Sequence, residues 1–133
     1  MRLDSIGQMS DVMRAIYDRE FRAIGPVLAE ESNLRSKLAQ LDAQIAANQE
    51  TDTHNHALNA VGARILWQGW TTRTRRQLNT ELAQVMARKL IAMDRVRIAF
   101  GRQRAVEMMA SSKRRDLKKR RTRQQENNLL SLG

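Results

Sequence analysis

The chain has 133 residues, room for one domain, and 41% apolar content with only 4% aromatic content is lean for a globular core, so an extended helical build fits better. It has no cysteine, which excludes a disulfide framework, a zinc–cysteine site and a thiol nucleophile and gives no argument for an oxidising compartment. The formal charge of +10 is graded: residues 1 to 50 carry six basic and eight acidic groups, residues 51 to 100 eight and three, and residues 101 to 133 ten and three, so the net charge climbs from −2 through +5 to +7.

A first helix is expected to begin after Asp4 or Ser5, either of which accepts a hydrogen bond from the first exposed backbone amides. Neither a basic region followed by an apolar run at Met1 to Ile6 nor a run of ~20 apolar residues is present, which predicts a soluble, cytoplasmic protein. Ile6, Met9, Met13, Ile16, Tyr17, Phe21 and Ile24 recur at three- and four-residue steps and define one apolar face. Gly25-Pro26 predicts a kink or short break, because proline has no amide hydrogen and disfavours helical geometry in the residue before it. From Val27 a heptad seam runs through Leu34, Leu38, Leu41 and Ile45, with Glu31 standing where an apolar residue is expected. The run Asn48 to His56 is almost devoid of apolar residues and rich in side chains that compete for backbone hydrogen bonds, so it reads as a turn.

The second arm carries no proline, and Leu78, Leu82, Met86, Leu90, Met93, Val96 and Phe100 form a helical stripe whose steps average nearer 3.6 than 3.5, which predicts a nearly straight or gently wound pair. Folding back around residue 52 places Leu78 near Pro26, Met86 near Tyr17, Val96 near Met9 and Phe100 near Asp4. The first arm then runs out near Gly101 and leaves an unpartnered helical overhang of about 36 Å at 1.5 Å per residue. The fold class is therefore all-α: an elongated antiparallel two-helix coiled-coil hairpin with a longer C-terminal arm. Its first arm covers about 5–47 with a kink at 25–26, its turn about 48–56, and its second arm about 57–123.

Several clusters are candidate sites. Trp67 and Trp70 flank Gln68-Gly69 near the turn end, and two readings fit: anchors for a partner, or a plug that closes the hairpin. Arg73, Arg75 and Arg76 form a basic cluster, read either as a solvated face or as a partner contact. Ile91 and Ile98 lie some 140° to 160° from the stripe through Met93, either as scattered surface residues or as a docking strip for another protein or a second copy. The basic run Lys113, Arg114, Arg115, Lys118, Lys119, Arg120, Arg121 and Arg123 suits nucleic acid, acidic lipid or an acidic protein channel. His54 and His56, the only histidines, sit in the polar turn with too few neighbouring ligands for a metal site. The chain lacks a glycine-rich phosphate loop, a Gly-x-Ser-x-Gly turn and a His-Glu-x-x-His motif, so neither catalysis nor a cofactor is expected.

A short basic chain without cysteine, an N-terminal arm, a polar turn and a longer arm carrying Trp67-Gln68-Gly69-Trp70, Arg75-Arg76-Gln77-Leu78-Asn79-Thr80-Glu81-Leu82-Ala83 and the basic tail resembles the FliJ-like family, small stalk and escort proteins of flagellar and type III export. The resemblance implies an antiparallel coiled coil similar to the central stalk of rotary ATPases, at the cytoplasmic face of a membrane-embedded export complex. Its terminal end would enter the pore of a hexameric export ATPase, and its middle and tip would contact the export gate and substrate chaperones. Placed on this chain, the pore-entering part is residues 1–12 with Arg102–Arg123, and the gate-facing part is the exposed side of residues 64–76. The alternative reading is a helical nucleic-acid-binding protein that uses the same tail on phosphates, although the tail has no aromatic residue for base stacking.

Overall fold

The structure, a computed structural model, describes residues 2–52 and 58–133, with side chains described outside 51–60. Two α-helices account for it: α1, Leu3–Asp52, and α2, Leu58–Leu132, with no strand among the described residues. The protein is all-α, and the chain divides into two compact units: Met1–Ala23 with Met93–Gly133, and Ile24–Ala92. In each unit a stretch of α1 packs antiparallel on a stretch of α2, as a helical hairpin requires.

Helix α1 starts two residues earlier than the sequence suggests. The amide of Ile6 donates to the carbonyl of Arg2 at 3.1 Å, and Asp4 falls in the first turn, where its charge favours the exposed amides of the helix start. The helix is not broken at Gly25-Pro26, since Pro26 lies inside it. Proline costs roughly 3 kcal/mol in a helix interior. Against that cost, half-buried residues continue at three- and four-residue steps on both sides of it, Glu20, Ile24 and Val27 among them. The expected turn at about 48–56 is also shorter: residues 48–52 are helical, and 53–56 lie outside the described residues. Residues 48–52 hold neither glycine nor proline, and once a helix is nucleated each added residue gains a hydrogen bond, so polarity alone does not stop it. For the same reason α2 passes the expected end at 123 and runs to Leu132.

In unit Ile24–Ala92 the seam of α1 is Val27, Glu31, Leu34, Leu38, Leu41 and Ile45, alternating four and three; Leu34 and Leu41 are each 4% exposed. Burying such a leucine contributes roughly 1.5–3 kcal/mol. Facing them, α2 contributes Thr71, Leu78, Leu82 and Val85, the last fully buried. Glu31, 8% exposed, is the polar member of the seam. Its carboxylate receives Lys89 Nζ at 3.0 Å and Arg35 Nη2 at 3.1 Å, so the buried charge is fully partnered. Glu30 to Arg88 and Asp42 to Arg75 extend the same antiparallel alignment.

In the other unit Ile6, Val106 and Ala110 form a buried cluster with Met9 and Met13 packed on it. Arg14 reaches Glu107 at 3.7 Å, and the rings of Tyr17 and Phe100 meet at 5.7 Å. These contacts correct the register expected from a fold-back at residue 52. Tyr17 meets Phe100 instead of Met86, a displacement of about four helical turns. Val106 and Ala110, expected in an unpartnered overhang, are covered by α1.

The inward face of α2 also differs. Leu78, Leu82 and Val96 are half-buried, but Leu90 is 70% exposed, and Met86, Met93 and Phe100 are exposed as well. The buried residues are the smaller Val85, Ala99, Val106 and Ala110. A stripe stepping at more than 3.6 drifts around the helix relative to a partner seam that repeats every 3.5, so following the largest side chains leads away from the contact.

Cysteines placed at Tyr17 and Phe100 are expected to join rapidly through a short bis-maleimide, whereas cysteines at Tyr17 and Met86 are not; the reverse pattern on a denaturing gel would restore the other register. Lys89 first, then Arg35, holds the Glu31 carboxyl below its usual value of 4.5, an effect opposed by burial. A folded-state value below the unfolded one adds stability that is present above pH 4.5 and lost as pH falls through the folded value. Glu31→Gln should therefore flatten the acid limb of a melting-temperature profile below about pH 5 while lowering stability at neutral pH.

Candidate functional site

Three surfaces carry the residues singled out in the sequence. The first is the end of α2. Lys113 and Leu117 are half-buried, and from Lys118 every residue is exposed, so the free part of the helix is shorter than expected and begins after the Ile6–Ala110 contact. From Lys118 to Leu132 it is about 22 Å long at 1.5 Å per residue. At about 100° per residue the eight cations between Lys113 and Arg123 fall on all sides of the helix instead of along one stripe. None of Lys113, Arg114, Arg115, Lys118, Lys119, Arg120 and Arg121 forms a salt bridge among the described residues, and the eight cations of the run stand against one carboxylate, Asp116, so the local field is strongly positive. Beyond the charges, Leu129, Leu130 and Leu132 are exposed at 71%, 78% and 85%.

The second surface lies at the start of α2. Trp67 and Trp70 stack with ring centroids 5.1 Å apart and planes 23° apart. Trp67 is half-buried and Trp70 is 44% exposed, so the pair is split between the two sequence readings: one ring packs and the other is presented. Exposed Val61, Ile65 and Leu66 adjoin it in sequence. The hydroxyls of Thr71 and Thr72 both donate to the carbonyl of Gln68, at 2.9 and 2.8 Å, a pattern that loosens a helix backbone locally. The Arg73 guanidinium lies over Gly69, its Nη1 3.6 Å from where a Cβ would stand, an ordinary contact distance that an alanine there would also allow. Arg75 is tied to Asp42, whereas Arg73 and Arg76 are exposed and form no salt bridge among the described residues. Sequence spacing alone did not separate Arg75 from its two neighbours.

The third comprises the exposed apolar residues of α2 outside the seam. Ile91 and Ile98 are exposed at 56% and 47%. Met86, Leu90, Met93 and Phe100, which sequence reasoning placed in the core, are exposed too, on other sides of the helix from Ile91 and Ile98. The signal that was available is the 3.5 repeat itself, which selects Val85 and Ala99 over their larger neighbours.

Among the described residues no group of three or more histidine, cysteine or acidic side chains is placed to hold a metal, and His54 and His56 lie outside those residues. Among the described residues no helix is long and apolar enough to cross a membrane. The shallow depressions on the surface each follow one face of one helix, as at Arg115, Lys118, Lys119 and Thr122. Such a surface suits contact with another macromolecule better than enclosure of a small substrate.

The split of the tryptophan pair gives an expected outcome in urea unfolding. Trp67→Ala should lower stability by about 1–3 kcal/mol, and Trp70→Ala by less than about 1 kcal/mol. No family model matches the chain, and neither a curated protein nor a solved structure matches it.

Proposed function

We propose that this protein is a non-enzymatic helical stalk and escort protein of a flagellar-type (type III) export apparatus, in which the end of α2 engages the export ATPase ring. The observation that carries this reading is the distribution of Lys113 to Arg123 around every side of a helix whose remainder is exposed. A helix charged on one side lies against a surface; a helix charged all round is matched by a partner that surrounds it, as an acidic channel does. The family resemblance of the sequence supplies the identity of that ring. Residues 1–12, expected to enter with the tail, include Ile6 and Met9 of the cluster that packs on Val106 and Ala110 of α2 just before the free end. Trp70, Arg73 and Arg76 are then the candidates for contact with the export gate or substrate chaperones, since each presents its side chain to solvent.

The alternative is nucleic-acid binding by the same tail, favoured by eight cations within eleven residues. Encirclement and groove tracking make different demands, and the all-round distribution suits the first better.

Replacing Lys118, Lys119, Arg120 and Arg121 together with glutamate is expected to abolish binding to the export ATPase hexamer and stimulation of its ATP hydrolysis, with the helical circular-dichroism signal kept. Unchanged stimulation would remove the proposal. Submicromolar RNA or DNA binding by the unmodified protein that persists at physiological salt would favour the alternative.

A further inference from the structure

In the unit formed by Met1–Ala23 and Met93–Gly133, the two flanks of the helix pair carry different charges. On α1, Asp4, Asp11 and Asp18 repeat every seven residues and are exposed. They share their flank with Arg14, three residues after Asp11 and four before Asp18, and Arg14 reaches Glu107. Exposed Phe21 lies three residues after Asp18, and its ring meets Tyr17 at 6.0 Å, which in turn meets Phe100. Of the cations on this flank, Arg14 and Arg104 are engaged with Glu107, Arg97 pairs with Asp94, and Arg22, four residues after Asp18, donates to the Asp18 backbone carbonyl; Arg114 and Lys118 continue the flank on α2 beyond Glu107. The aspartates at 4, 11 and 18 form no salt bridge among the described residues, so the Asp11–Asp18 stretch, away from the Arg114 and Lys118 end, presents unpaired carboxylates beside exposed Phe21 and Phe100.

The opposite flank is its complement. Ala99 is buried, and Ile98 and Phe100 stand about 100° to either side of it, so Ile98 faces away from the aspartate flank. With Ile98 run Arg95, Arg102, Ala105 and Met109 at steps of three and four, all exposed. Arg95 and Arg102 are also seven apart and form no salt bridge among the described residues. Both ladders therefore repeat at about 10.5 Å along a helix. One presents carboxylates beside Phe21, and the other presents guanidiniums beside Ile98 and Met109.

We infer that the occupant of the Arg95–Arg102 flank is a second copy of this chain, seated through its Asp11–Asp18 flank. Equal spacing of opposite unpaired charges, with exposed apolar side chains beside both, is the arrangement that fixes register between helices in an assembly. The two flanks lie on opposite sides of the pair, so the contact is heterologous. A two-fold dimer needs a self-complementary face; here each copy keeps one free flank of each kind after pairing, and association continues past the dimer. These residues overlap the segment assigned above to the ATPase ring, so the two contacts compete. The self-association stands without the ring and is measured without it.

Sedimentation of the full chain at about 50 mM salt should show a mean mass rising with concentration beyond the dimer, and at about 500 mM salt, where such charges are screened, a return toward the monomer. The double variants Arg95→Glu with Arg102→Glu, and Asp11→Lys with Asp18→Lys, should each weaken association about ten-fold or more, because each sets like charges against the unmodified flank of its neighbour. Mixed together, they should associate again, since every contact between unlike variants pairs opposite charges. A monomer at all concentrations in low salt, variants that assemble as the unmodified chain does, or a mixture that stays dissociated would each overturn the inference. Circular dichroism of the two variants shows that loss of association is not loss of fold.

Discussion

Two long helices that pack side by side must keep their contact on a narrow strip, and a side chain more than about 100° from it faces water whatever its hydrophobicity. That geometric limit governs most of what this protein presents outward. The seam of α1 repeats at 3.5 and is met on α2 by Val85, Ala99, Val106 and Ala110, while Leu90, Ile91 and Ile98 are left on the flanks. The same arrangement removes the option of burying the larger side chains of α2 without a further partner.

The alignment of the two strips is held at polar points as much as apolar ones. Glu31 occupies a seam position with Lys89 and Arg35 on its carboxylate, and Glu30–Arg88 and Asp42–Arg75 repeat the pairing along one unit. Exposed ion pairs of this kind contribute little to stability, typically under about 1 kcal/mol. A buried charge is different, because sliding the helices would strip Glu31 of Lys89 and leave its carboxylate with only Arg35, which travels on the same helix. Register and stability are thus separated: Leu34 and Leu41 supply the burial, and Glu31 penalises the wrong alignment.

The functional reading follows from what this packing leaves uncovered. Past Leu117 every residue of α2 is exposed among the described residues, and the charges there surround the helix. At the start of the helix the stacked tryptophan pair has one ring half-buried and the other exposed. Both regions expose side chains that the helix pair leaves uncovered.

The sequence by itself determined the all-α class, the two arms, the Leu34–Ile45 seam and the basic end, because helical periodicity, the absence of proline from the second arm and a run of like charges are local properties. It did not determine the register. Polar residues 48–52 looked like a turn yet continue the helix, since helix propagation is decided by backbone hydrogen bonds and packing and not by polarity, and the fold-back point inferred from them carried Tyr17 to the wrong partner. Pro26 was legible as a helix breaker, but only packing on both sides decided that the helix would pass through it. Tertiary structure also decided which face of α2 is inside. Leu90 and Met93 outrank Ala99 in hydrophobicity, but only Ala99 lies where the 3.5 repeat of α1 can meet it, and that choice sets which side chains remain for partners.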